Sequence, residues 1–151
     1  MISLNTARKL KAAGLDWQPS LHDFFAIPDR QMDQMVFVIS DLLVTVDILQ
    51  GMQVVSFQGA SEWALDSLLT TEAIWLPSEE QLRQFLEAIL ISVGSSSFKL
   101  ISNIKGYKCI LYYSDKRIVF EDNDVSEAYA NAILHIMKTH SDISSNKFHD
   151  N

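Results

Sequence analysis

The sequence predicts an α+β fold with a mixed or antiparallel sheet and helices packed mainly on one face. The second half of the chain places three strand-like runs between two segments with the apolar period of a helix, so an α-β-β-β-α order is expected there. The first half contains several short runs rich in β-branched and aromatic residues, which are typical of strands. Hydrophobic residues make up 48% and charged residues 21% of the chain, as in ordinary globular proteins.

The first predicted element is a helix close to the N-terminus. Ser3 or Asn5 can cap it, and Gly14 is placed to end it. A Trp-Gln-Pro-Ser sequence then opens a turn, and residues 21–30 are expected to be irregular. The two adjacent phenylalanines of that segment are expected to anchor it to the core.

Short strands are predicted through the rest of the first half, at residues 36–40, 52–57 and 73–76. Residues 41–50 remain open: their β-branched side chains favour a strand, whereas their length and initial aspartate favour a helix. Between the last two strands, a Gly-Ala-Ser turn is expected to lead into a short helix that carries Trp63, Leu65, Leu68 and Leu69.

The second half gives the clearest local signals. Ser78 stands three residues before Gln81, a capping-box pattern, and an apolar stripe follows until Gly94. Three strands are predicted at residues 98–104, 107–113 and 117–120, joined by connections short enough for hairpins. A final helix is predicted to start at Asp124, with Glu127 as its capping-box partner.

The length of 151 residues predicts one domain, which we place at residues 1–140, followed by a polar C-terminal tail at 141–151. Pro77 is the best candidate for a boundary within this domain. We find no internal repeat and no low-complexity linker.

Composition excludes several classes of function. The net charge is −7, which argues against general binding to nucleic acid or to an anionic membrane. Cys109 is the single cysteine, so neither an internal disulfide nor a multi-thiolate zinc site can form. There is no Gly-rich phosphate loop, no signal-peptide pattern and no membrane-length apolar run. These observations predict a cytoplasmic protein without a cofactor or a bound metal.

A second hypothesis is a ligand-binding or hydrolytic enzyme that uses the segment from His22 to Asp33. His22 and Asp23 form a polar pair in an apolar neighbourhood, with Asp29 and Arg30 close by in sequence. Adjacent His and Asp residues more often cap turns in an exposed loop. Cys109 alternates with apolar residues along a strand, which indicates a half-buried side chain rather than a nucleophile.

A third hypothesis is an RNA-binding module that uses the segment from Lys99 to Arg117. This segment is rich in lysine and interleaved with tyrosines, and such side chains on a sheet can hold phosphates and stack bases. The α-β-β-β-α order is also that of double-stranded-RNA-binding domains. However, the start of the last helix is acidic here, where that fold relies on lysines.

The leading hypothesis is a non-enzymatic protein-interaction module, acting through a protein partner or by self-association as a homo-oligomer. A strong core pattern without a catalytic constellation favours it. Trp17 follows a helix stop and precedes a proline turn, so an exposed patch shared by Trp17 and Phe25 would supply the contact surface.

Three segments of the chain, residues 6–29, 57–66 and 120–130, resemble those of a family of small Bacillus-type proteins. Most members are uncharacterised, and some carry an automatic "pilus assembly" label. That label would imply a relative of nucleotide-binding ATPases, for which this chain has no phosphate-binding loop. The resemblance implies a bacterial cytoplasmic protein and carries over no catalytic residues.

Overall fold

The structure, a computed structural model, describes residues 1–28, 32, 35–40, 44–57, 67–94, 97–113 and 116–146. Its elements, in chain order, are α1 (Leu4–Ala12), β1 (Phe24–Ala26), β2 (Phe37–Val38), β3 (Val44–Leu49), β4 (Met52–Phe57), β5 (Ser67–Leu69), a 3₁₀ helix (Thr70–Glu72), β6 (Ile74–Trp75), α2 (Glu79–Ser92), β7 (Ser97–Asn103), β8 (Gly106–Tyr113), β9 (Lys116–Asp122) and α3 (Val125–Asn146). The strands form three small antiparallel sheets, so the predicted α+β class is confirmed. Among the described helices, none combines the length and apolarity that a membrane crossing requires.

The chain packs into two compact units. Unit 1 comprises Met1–Leu15 and Ser78–Asn151, and unit 2 comprises Asp16–Pro77. One boundary therefore follows Pro77, the residue at which the sequence indicated a joint. The assignment of residues 1–140 to a single domain stays a prediction.

In unit 1, α2 begins at the predicted capping box. The Ser78 hydroxyl accepts a hydrogen bond from the Gln81 N–H (3.2 Å), and the Ser78 N–H donates to the Gln81 side chain (2.9 Å). These bonds satisfy two backbone donors that the helix itself leaves free. One turn apart along the same helical face, α2 buries Leu82, Leu86 and Leu90.

The last helix, α3, starts where the sequence predicts it. The Asp124 carboxylate accepts a hydrogen bond from the Ser126 N–H (2.7 Å), which fixes the first turn. The helix then buries a stripe of small and apolar side chains, namely Ala128, Tyr129, Ala132, Ile133 and Ile136. It continues to Asn146, so residues 141–146 of the predicted polar tail are helical, and residues 147–151 lie outside the described part of the chain.

Glu127 does not close a capping box on its own helix, and that prediction is wrong. The Asp124 N–H donates instead to the Asp122 carboxylate (3.0 Å). The Glu127 carboxylate accepts from the Ser3 N–H (2.6 Å) and from the Thr6 hydroxyl (2.7 Å), at the N-terminus of α1. Because α1 packs against α3, the Glu127 carboxylate binds donors of α1 rather than the Asp124 N–H of its own helix.

The sheet of unit 1 has the order β7-β8-β9 and packs one face on α3. Phe98 of β7 contacts Tyr129 edge to face, with ring centroids 5.9 Å apart. Phe120 of β9 lies beside His135 at 5.6 Å. Alternate residues of a strand point to opposite faces, so these contacts identify the inner face of the sheet. The predicted order of strands between two helices is confirmed.

Unit 2 contains two small sheets, of order β2-β1-β6 and β3-β4-β5. Its core brings both sheets together in one cluster of buried side chains, namely Phe25, Ile27, Ile39, Val44, Val55, Leu68 and Ala73. β3 and β4 pair from Val44 opposite Phe57 to Leu49 opposite Met52. The open choice at residues 41–50 is thus decided as a strand over Val44–Leu49, with residues 41–43 outside the described residues.

Two local predictions in unit 2 are corrected. Leu68 and Leu69 were expected on a short helix, but they belong to β5, which pairs with β4 through Val55 opposite Leu68. The neighbouring residues 58–66, with Trp63 and Leu65, lie outside the described residues. The segment 21–30, expected to be irregular, contains β1, whose three residues pair with strands on both sides. Long-range pairing overrides weak local preferences in both segments.

Candidate functional site

Asp23 is a structural residue of its loop. Its side chain is 2% exposed and accepts hydrogen bonds from the Trp17 indole N–H (2.9 Å) and from the Ser20 N–H (2.9 Å). Its backbone is held as well, because its carbonyl accepts from the Ile39 N–H (3.0 Å). A carboxylate with two donors inside a tight turn is placed to stabilise the loop rather than to meet a substrate.

His22 is exposed, whereas its neighbour Asp23 is buried. His22 adopts a positive φ of 70°, a conformation typical of turns. Its N–H donates to the Ile39 carbonyl (2.8 Å), which fixes the backbone beside the buried aspartate. The His22 and Asp23 side chains therefore do not converge in a pocket. Asp29, Arg30 and Asp33 lie outside the described residues.

Trp17 and Phe25 do not form a shared exposed patch. Phe25 is fully buried, and its ring stacks on Phe37 at 5.4 Å and lies 5.7 Å from the ring of Trp17. Trp17 is half-buried and packs against the same core cluster. The interaction surface expected there is wrong for Phe25, because the β-pairing of β1 turns its ring into the core.

Cys109 lies in the centre of β8, and its side chain is fully buried. Burial raises the pKa of the Cys109 thiol to about 12. The reactive form of a cysteine is the thiolate, so this thiol is not a nucleophile at neutral pH. No group of three or more potential metal ligands is found in the part of the chain that the structure describes.

A polar surface cavity of about 670 Å³ lies at one end of the sheet of unit 1. It is lined by the β7–β8 turn and by the connection from β9 to α3, namely Asn103, Ile104, Lys105, Gly106, Tyr107, Lys108, Glu121, Asp122 and Asn123. Lys108 and Glu121 pair across it at 2.6 Å. Two of its charges are thus already paired, and its lining holds neither a histidine nor a cysteine.

The end of the β3–β4 hairpin exposes apolar side chains that the sequence did not single out. Ile48 is 78% exposed, Leu49 52% and Met52 50%. Gln50 and Gly51, with φ of 52° and 81°, form the tight two-residue turn between them. The Gln-Gly pair between two β-branched runs is a sequence signal for this hairpin turn. It was not decisive because residues 41–50 were also compatible with a helix. We call Ile48, Leu49 and Met52 the hairpin end.

The segment from Lys99 to Arg117 occupies three strands of unit 1, and its cations are distributed by strand alternation. Lys99, Lys108 and Arg117 all lie opposite the inner face that packs on α3. The Lys99 ammonium sits over the Tyr112 ring, 5.7 Å from its centroid. Lys108 is paired with Glu121. The sequence predicted the cationic character of this segment. The structure places three of its five cations on one sheet face, whereas Lys105 lies in the β7–β8 turn and Lys116 belongs by alternation to the opposite face.

No known protein family, characterised protein or experimentally solved structure matches the chain. The resemblance of three segments to the Bacillus-type family accordingly stays a prediction. The surfaces described above are the basis for functional inference.

Proposed function

We propose that this chain is a cytoplasmic, non-enzymatic protein-interaction module that self-associates through the hairpin end. The exposed apolar side chains of Ile48, Leu49 and Met52 carry the proposal. Single exposed apolar residues are common on protein surfaces. At this hairpin end, however, Leu49 and Met52 form a cross-strand pair on one face and Ile48 lies on the other, so apolar side chains on both faces of the tip favour a contact surface. Their burial in a symmetric pair of hairpins would remove this apolar area from water.

The chemistry around the hairpin end fits a contact between two copies. Gln50 and Gly51 at the turn are uncharged, and Asp47 is the charged residue nearest to the tip on β3. Its carboxylate accepts from the Thr45 hydroxyl (3.2 Å), further along the strand from the turn. Two copies can therefore meet tip to tip without placing carboxylates against each other at the centre of the contact.

The geometry supports an enzyme less well. A hydrolytic site in the segment from His22 to Asp33 needs its polar side chains to converge. The Asp23 carboxylate instead accepts hydrogen bonds from Trp17 and Ser20, while His22 is exposed.

The test is light scattering behind a sizing column, at protein concentrations from micromolar upwards. We expect a dimer for the wild type and a monomer for the double variant Ile48→Thr/Leu49→Thr, because threonine keeps the strand preference but removes apolar area. The matched control is Ile104→Thr, which makes the same change at an isoleucine that is fully exposed at another turn. A wild type that is monomeric at every concentration, or a control that also dissociates, would contradict the proposal.

A further inference from the structure

The sheet of unit 1 leaves one of its faces uncovered by α3. Phe98 on β7 and Phe120 on β9 face α3. Because successive residues of a strand point to opposite faces, the residues adjacent to them in each strand face outwards. The strand register places these residues in rows: Ser97, Tyr112 and Arg117 in one row, Lys99, Ile110 and Val119 in the next, and Ile101, Lys108 and Glu121 in the third. We call these nine residues the outer sheet face.

The outer sheet face reverses the charge of the chain. It carries three cations, Lys99, Lys108 and Arg117, and one carboxylate, Glu121, in a chain whose net charge is −7. Glu121 neutralises Lys108. Lys99 and Arg117 are both exposed, and within the described residues neither contacts a carboxylate. Among the described residues, Lys99 and Arg117 are therefore cations without a paired carboxylate, one on each side of the central strand β8.

These two cations flank an aromatic and apolar surface. Tyr112 lies directly opposite Arg117 on the neighbouring strand, and its ring carries the Lys99 ammonium on one face. Ile101, on the same side of the sheet, is 43% exposed. Strands in a sheet are about 4.8 Å apart and residues rise by about 3.4 Å, which puts the Lys99 and Arg117 backbones roughly 10–12 Å apart. An extended peptide covers that distance in three to four residues.

We propose that the outer sheet face binds an extended acidic peptide segment of a partner protein, with its carboxylates on Lys99 and Arg117 and its apolar side chains near Tyr112 and Ile101. Charge complementarity carries the proposal, since this face is cationic on an otherwise acidic chain. It goes beyond self-association through the hairpin end, because it names a different surface and a different partner.

Two observations favour a peptide over a single-stranded nucleic acid. Base stacking needs an aromatic face open to solvent, whereas Tyr112 is only 36% exposed and one face of its ring already lies beside Lys99. A polynucleotide would also extend past this small cationic area and meet the negative charge of the rest of the chain. A short acidic segment feels mainly the local cations, because screening limits charge interactions to about 8–10 Å at physiological ionic strength.

The experiment measures fluorescence anisotropy of a labelled short peptide of alternating glutamate and valine, titrated with the full chain at low salt. We expect saturable binding that weakens as salt rises, and no binding of a matched lysine–valine peptide. Lys99→Gln/Arg117→Gln should weaken binding by about tenfold or more. The control, Lys9→Gln/Lys138→Gln, makes the same change in net charge at two exposed lysines elsewhere and should bind like the wild type.

A charge-reversed variant keeps the result interpretable. Lys99→Glu/Arg117→Glu should lose the glutamate–valine peptide and bind the lysine–valine peptide instead. Absence of binding by the wild type, or equal weakening in the control, overturns the proposal, and so does binding of oligouridine in place of the acidic peptide. Ile48→Thr/Leu49→Thr should bind the peptide like the wild type, so failure of the dimer and failure of this surface are distinguishable.

Discussion

At the scale of single residues, the loop before β1 depends on one carboxylate. Asp23 is buried, and its carboxylate accepts hydrogen bonds from donors three and six residues earlier, Ser20 and Trp17. Both donors would lose their partner if the carboxylate were removed, and a partly buried donor left without a partner lowers stability. This accounts for an acidic residue two positions before the fully buried Phe25.

We expect Asp23→Ala to lower the free energy of unfolding by about 1.5–3 kcal/mol, the range for hydrogen bonds to a charged group. Asp23→Asn keeps one acceptor oxygen and should lose less. Chemical denaturation followed by tryptophan fluorescence measures both, because Trp17 is itself a partner of Asp23. Asp16→Ala, at an exposed aspartate of the same loop, is the control and should stay within about 0.5 kcal/mol. Equal effects of Asp23→Ala and Asp16→Ala would show that the buried hydrogen bonds are unimportant.

At the scale of elements, hydrogen bonds to the Glu127 side chain of α3 help to hold α1 against α3, in addition to apolar contact. Glu127 on α3 accepts from the Ser3 N–H and the Thr6 hydroxyl, and the Ser3 hydroxyl in turn accepts from the Thr6 N–H (3.2 Å). A negative charge at a helix N-terminus also complements the helix dipole. The end of α1 is thus capped from within by Ser3 and from outside by Glu127.

Glu127→Ala is expected to lower the free energy of unfolding by about 1–2 kcal/mol, because α1 loses two charge-assisted hydrogen bonds at its N-terminus. Urea denaturation followed by circular dichroism gives the value. Glu87→Ala is the matched control, since Glu87 forms an exposed pair with Arg83 four residues away, which contributes only about 0.3–0.5 kcal/mol. A loss for Glu127→Ala no larger than that of the control would mean that apolar packing alone holds α1.

At the scale of the whole molecule, the folded state hides the single thiol of the chain. Cys109 lies on the inner face of the unit 1 sheet, where it pairs with Phe120 on β9 and Leu100 on β7. The same burial that excludes a nucleophilic role makes its reactivity a reporter of unfolding.

We expect a thiol-specific chromogenic reagent to leave Cys109 unmodified in native buffer and to modify it stoichiometrically in denaturant. The pKa is raised from 9.0 to about 12 in the folded chain. Raising the pH from 7 to 9 should therefore accelerate the reaction of the unfolded chain strongly while the native chain stays slow. Reaction of the native protein within minutes would show that the strand β8 opens readily.

The sequence predicted best where a signal is local. The cap at Ser78 and Gln81 and the apolar stripe of α2 involve residues within two helical turns, and both are confirmed. The three strands of unit 1 follow equally from short runs and short connections. Among the candidate site residues, the sequence identified Asp23 as a polar residue in an apolar setting. It did not predict that the carboxylate is buried and bonded to Trp17 and Ser20.

By itself, then, the sequence determined the α+β class, the two long helices with their N-terminal caps, and the hairpins of unit 1, because caps, helical periods and tight turns act between near neighbours. Only the tertiary structure decided that Leu68 and Leu69 join a strand, that the Glu127 side chain caps α1, and that Phe25 is buried. Each of those outcomes depends on a partner distant in the chain. Strand pairing and helix packing select that partner, and no local pattern encodes it.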